Sequence, residues 1–79
     1  MNPIKFLLSV QRNLIVCPHW RTGQAMFNTL CAVDVKLTGS IRGSKNDPFH
    51  DDRKIPDFLV LVFTAWEIDK LAKERRKKK

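Results

Sequence analysis

A chain of 79 residues carrying a formal charge of +7 makes one domain with one modest core. Its stability is expected near 4–12 kcal/mol, at roughly 0.05–0.15 kcal/mol per residue, which leaves little free energy for a strained catalytic site. Residues 73–79 hold six basic and one acidic side chain, a net of +5, and the other 72 hold nine basic and seven acidic, a net of +2. The excess charge therefore describes the C-terminal end, which argues against a basic face that reads a DNA groove.

Asn2-Pro3 opens the first helix. Asn2 supplies a cap, and Pro3 suits the first helical position, where its missing N–H has no partner to lose. Ile4, Leu7, Leu8, Leu14 and Ile15 are expected to form its core face, with Phe6 and Val10 at the margins. Pro18 disfavours helix at Cys17, so the segment ends by Val16. Gln11, Arg12 and Asn13 break its apolar run, so it reads poorly as a signal peptide. Cys17 and Cys31 are expected to act as small hydrophobes in a reduced, cytoplasmic protein.

The stretch Arg21 to Val33 reads as the central helix, with Thr22 as its N-cap. Met26, Phe27, Leu30, Cys31 and Val33 share its apolar face, while Gln24, Asn28 and Thr29 take the other side. Trp20, in the connector before it, is expected to fold over the edge of the core. Asp34 ends this helix and caps a third, Val35 to Arg42, whose apolar side is Val35, Leu37 and Ile41. Gly39 weakens that helix by roughly 1 kcal/mol relative to alanine, and Gly43 is placed to end it in a left-handed conformation.

Residues 44–55 are the most polar internal segment. Asp47-Pro48 predicts a single helical turn over Pro48 to Asp51, with Phe49 turned inward to pin the loop. Pro56 opens the last helix. Leu59 to Phe63 alone could be a buried strand, but the apolar spacing continues through Ala65, Trp66, Ile68, Leu71 and Ala72. Asp69–Lys73 and Lys70–Glu74 add pairs one helical turn apart, so helix is preferred. From Lys73 the chain becomes a charged, fraying tail. The longest apolar run falls far short of the ~20 residues needed to span a bilayer. The expected architecture is all-α: a compact bundle of three main helices plus one or two short ones, in a single domain over residues 1–72, followed by a basic tail over 73–79.

The order Arg21-Thr22-Gly23-Gln24-Ala25, Phe27-Asn28, Leu30, Ile41-Arg42-Gly43-Ser44, Asp47-Pro48-Phe49, Asp52-Arg53, Pro56 and Phe58 resembles a small family from phages, prophages and bacterial mobile DNA. The resemblance covers about half of the chain. It implies a mobile-element setting and no particular activity, since the family has none assigned. The sequence departs from the pattern near Val35–Gly39, where Gly39 stands at a helix-forming position, and the basic end lies outside it.

Chemistry is sparse. Cys17, His19, Cys31 and His50 are four potential metal ligands without the close paired spacing of zinc modules, so no metal and no cofactor are expected. Cys17, His19 and Asp51 or Asp52 could be assembled as a nucleophilic set only on paper, and no glycine-rich turn accompanies them. Asp47, Asp51 and Asp52 lack the alternation and closing glutamate of a calcium loop. A helix-turn-helix reading is weakened by a turn, Val33-Asp34-Val35, without glycine, and by a third helix offering only Lys36 and Arg42.

Arg21, Gln24 and Asn28 form a polar strip with Asp47, Asp52 and Arg53. They either tie the loop to the central helix or present a surface to a partner. Trp20 and Phe49 flank the strip, and aromatic side chains beside arginine are common interface anchors, so Trp20, Arg21, Gln24, Asn28, Phe49 and Arg53 are the candidate protein-binding residues. Lys73, Arg75, Arg76, Lys77, Lys78 and Lys79 are the candidate contacts for nucleic acid or another polyanion, with Lys36, Arg42 and Lys45 as possible additions. The expected function is capture of a host or viral protein without catalysis; the alternative is a small nucleic-acid-binding accessory protein.

Overall fold

Asn2 caps the first helix as its position predicts, its Oδ1 accepting the Lys5 N–H at 2.8 Å. The computed structural model describes residues 2–77, with side chains through Arg75. Four helices follow one another: α1 (Pro3–Val16), α2 (Thr22–Val33), α3 (Val35–Ile41) and α4 (Ile55–Lys77), with a short 3-10 turn at Asp52–Lys54 ahead of α4. Among the described residues there is no strand, and Leu59 to Phe63 lies inside α4. The fold is an all-α bundle.

Its core joins all four helices: Phe6 and Val10 of α1, Ala25, Met26, Phe27 and Leu30 of α2, Ile41 of α3, and Phe58 and Val62 of α4. Phe6 meets Phe63 edge-on at 6.1 Å and Trp66 at 5.5 Å. This reverses the expected facing of α1. Phe6 and Val10 are buried, whereas Ile4 (72% exposed), Leu8 (64%) and Ile15 (78%) point outward and Leu7 is 39% exposed. Leu14 alone of the predicted face packs against the core. Apolar residues surround most of this helix, so periodicity cannot choose a side. The large Phe6 ring, fitted against two aromatic side chains of α4, decides it, because an aromatic ring carries the largest burial term.

Asn13 reinforces that choice. Its side-chain amide donates to Thr29 Oγ1 at 2.8 Å, and the Thr29 hydroxyl donates to the Ala25 carbonyl at 2.6 Å. Thr29, placed on the polar side by its residue type, is buried because both its donor and its acceptor roles are satisfied. Val33, placed on the apolar face, is 38% exposed at the end of α2.

Asp34 closes α2 and opens α3, its Oδ1 accepting the Leu37 N–H at 3.1 Å. α3 stops at Ile41, one residue before Arg42, and Gly43 turns the chain at φ 74°. Val35, expected inside, is exposed, and Thr38 is buried with its hydroxyl donating to the Asp34 carbonyl.

Over Pro48 to Asp51, where the sequence predicts a single helical turn, no helix forms, although the Asp51 N–H donates to the Pro48 carbonyl at 3.2 Å and closes one turn. Asp47 instead accepts the Phe49 N–H through Oδ1 and the Gly43 N–H through Oδ2, at 2.9 and 2.8 Å. It thereby knots a turn rather than starting a helix, a competing use of the same Asp-Pro pair. The short helix comes later, at Asp52–Lys54, with Asp51 as its cap.

α4 contains Pro56 in its first turn and buries Phe58 and Val62. Past Trp66 every described side chain is exposed, and the helix runs on without a break through Lys73 to Lys77. It therefore projects from the bundle and lengthens the molecule, which measures 48 × 25 × 19 Å. Lys73 pairs with Asp69 at 3.1 Å on this segment. Among the described residues no helix is long and apolar enough to cross a membrane.

Candidate functional site

The polar strip assembles around the N-terminus of α2. Arg21 occupies the cap position but gives α2 no side-chain cap, and Thr22, predicted as the cap, is the first helical residue. The free Gly23 N–H is instead satisfied from 29 positions away, by Asp52 Oδ1 at 3.0 Å. A carboxylate there also complements the positive end of the helix. The Arg21 guanidinium donates to the Phe49 carbonyl and lies 3.8 Å from Asp52. Phe49 turns inward, edge-on to Phe27 at 5.7 Å, and the Arg42 guanidinium lies 5.3 Å from the centre of the same Phe27 ring. Arg21, Phe49 and Asp52 thus fasten the 44–54 loop to α2.

The other members of the strip are dispersed. Trp20 packs on the core edge, as expected of it, and Gln24 and Asn28 are half-buried along α2. Arg53 stands 91% exposed, paired with Asp51 at 3.0 Å. Hydrogen bonds from the Arg53 side chain, then from its backbone N–H, hold the Asp51 carboxyl below its ordinary value. A depressed carboxyl favours the folded state above its unfolded value and loses that contribution as pH falls through the folded one. In an NMR titration Asp51 is expected to have a midpoint below the ordinary aspartate value, and Arg53→Ala to raise it toward that value.

Cys17 ends α1 and Cys31 lies on α2, both half-buried free thiols, while His19 meets Trp20 edge-on and His50 meets Phe49 edge-on. Among the described residues no three His, Cys, Asp or Glu side chains gather where a metal could be held. A groove of about 550 Å³ runs between the start of α1 and α4, lined by Pro3, Phe63, Trp66, Glu67, Lys70 and Lys73 among others. A second, about 460 Å³, lies between α3 and α4 beside Asp34, Ser40 and Trp66.

Of the basic candidates, Lys73 and Arg75 are exposed on the projecting part of α4. The side chains of Arg76 and Lys77, and Lys78 and Lys79 entirely, lie outside the described residues. Lys36 and Lys45 are exposed on α3 and in the loop.

The feature that residue reading missed is the outer face of α1. Ile4, Leu8 and Ile15 lie on the side opposite Phe6 and Val10, with Leu7 at its margin and Lys5 and Arg12 exposed beside them. No aspartate or glutamate precedes Asp34 in the chain. Apolar residues on both sides of one short helix, flanked only by cations, were the available signal. Compared with known family models, curated proteins and solved structures, the chain finds no match.

Proposed function

We propose that this chain is a non-enzymatic protein-binding module of the phage or mobile-element type, which captures a host or viral protein in the host cytoplasm. The observation that supports this reading is the outward apolar face of α1. Exposed apolar side chains scattered singly are ordinary, but Ile4, Leu8 and Ile15 share one side of a single helix, which favours an interaction surface. Lys5 and Arg12 border this side and α1 itself carries no carboxylate, so the fitting partner segment is an amphipathic helix whose apolar stripe is flanked by Asp or Glu. The Arg21–Phe49–Asp52 cluster serves this module by holding its loop.

The projecting basic end of α4 favours a second reading, contact with nucleic acid through phosphates, with steep salt dependence. The two separate in one experiment. Immobilised wild type, a Leu8→Glu/Ile15→Glu variant and a chain truncated after Glu74 are compared for capture from host lysate, and for retardation of DNA and RNA at low salt. Both substituted positions are exposed, so the fold is expected to hold. Partner loss with the double variant and retention with the truncation is the expected result. Unchanged capture by the double variant, with nucleic acid retarded only by chains that keep residues 75–79, would overturn the first reading in favour of the second.

A further inference from the structure

α4 carries a second stripe, turned away from Phe58 and Val62, of which only Leu61 packs against the core. Asp57, Leu61, Thr64, Ile68, Leu71 and Arg75 follow one another at intervals of 4, 3, 4, 3 and 4 residues. That is the spacing of a two-stranded coiled-coil seam. Leu61 is half-buried and the other five are exposed, Ile68 at 62% and Leu71 at 53%. Ile68, Leu71 and Arg75 lie past Trp66, where the helix has left the bundle.

We infer that this stripe is a self-association seam, through which two copies of the chain pair along α4 in antiparallel orientation. The ends of the stripe choose both occupant and direction. In an antiparallel pair Leu61 of one copy faces Leu71 of the other, and Thr64 faces Ile68. The same register sets Asp57 against Arg75 at both ends of the contact. A parallel pair would set Asp57 against Asp57 and Arg75 against Arg75, two repulsions instead of two attractions. In this register Glu67 and Asp69 fall opposite Ala65 and Phe63, so the two Asp57–Arg75 pairs carry the choice of direction. Ala65 and Ala72 lie along one side of the seam and let the helix axes approach closely there. Glu67 falls on the other, wider side.

From Asp57 to Arg75 the seam is about 27 Å long at 1.5 Å per residue. It is smaller than a standard interface of about 800 Å² per partner, so the dimer is expected to form at tens of micromolar rather than nanomolar concentration. Sedimentation equilibrium of the full chain between about 1 and 200 µM tests it. The wild type is expected to show a monomer–dimer equilibrium that Ile68→Glu abolishes. Asp57→Arg and Arg75→Asp are each expected to weaken the dimer about tenfold or more, and the double exchange Asp57→Arg/Arg75→Asp to restore it. Circular dichroism checks that each variant keeps its helix. A wild type monomeric throughout that range, a dimer untouched by Ile68→Glu, or a double exchange no better than the single ones would overturn the proposal. The Leu8→Glu/Ile15→Glu variant used above leaves this seam intact, whereas the chain truncated after Glu74 loses Arg75, so it is the α1 variant that separates the two surfaces.

Discussion

Gly23→Ala is expected to destabilise the domain by about 2–3 kcal/mol, combining overpacking with loss of a capping hydrogen bond. A Cβ on Gly23 would stand 2.2 Å from the Pro48 carbonyl oxygen and 2.7 Å from Asp52 Oδ1. The first of these is backbone and cannot swing aside, so the loop must lift. Lifting it pulls Asp52 from the Gly23 N–H and Arg21 from the Phe49 carbonyl, and draws Phe49 off Phe27. For a domain of this size the loss corresponds to a fall in melting temperature of about 10–20 °C. Gly39→Ala is the control. Nothing lies within 4 Å of its Cβ, it sits in the helix α3, and replacing it should stabilise by about 0.5–1 kcal/mol. Thermal melts of the two variants should move in opposite directions; equal shifts would mean that the loop does not press on α2.

The contrast between these two glycines shows what the sequence makes legible. Helix limits are written locally: Asn2-Pro3, Pro18, Asp34, Gly43 and Pro56 each act through the backbone of their neighbours, and each lies where the structure begins or ends an element. Gly39 could likewise be read as a helix weakener from its type alone. The need for glycine at position 23 arises from Pro48 and Asp52, residues that only the folded chain brings near. The same holds for the cap of α2. Thr22 is the local candidate, but the carboxylate that takes the work arrives from the far side of the loop.

Facing is harder to read than helicity. On α1 the number of apolar residues hid the answer, since both halves of the helix look like a core stripe. On α2 the type of one residue hid it, because a threonine whose hydroxyl is fully bonded is as acceptable inside as a valine. From its residues alone the polar strip fits a tie or a binding surface. Arg21, Phe49 and Asp52 are joined as a tie, while Gln24, Asn28 and Arg53 are not drawn into it. The outer faces of α1 and α4 emerged only once burial had been assigned to the opposite sides.

Asp34→Ala is expected to cost about 2–3 kcal/mol, the sum of a helix cap at about 1 and a hydrogen bond from a neutral donor to a charged acceptor at about 1.5. Asp34 Oδ1 caps α3 through the Leu37 N–H, and Oδ2 accepts the Trp66 indole N–H at 2.8 Å. One carboxylate thus joins the start of α3 to the last residue of α4 that touches the bundle. Asn has a single side-chain carbonyl oxygen and cannot serve both donors with equal geometry, so Asp34→Asn is expected to fall between wild type and Asp34→Ala. Trp66→Phe removes the donor and keeps the ring against Phe6, leaving the α3 cap in place. Urea titrations of the two single variants and their double should show a coupling of about 1–1.5 kcal/mol between positions 34 and 66. Additive losses would mean that the indole N–H contributes nothing beyond its contact with water. The consequence reaches the projecting helix. Trp66 is where α4 leaves the core, so the Asp34 bond fixes the direction in which Ile68, Leu71 and Arg75 are carried. Loosening it should weaken self-association even though none of the seam residues has changed.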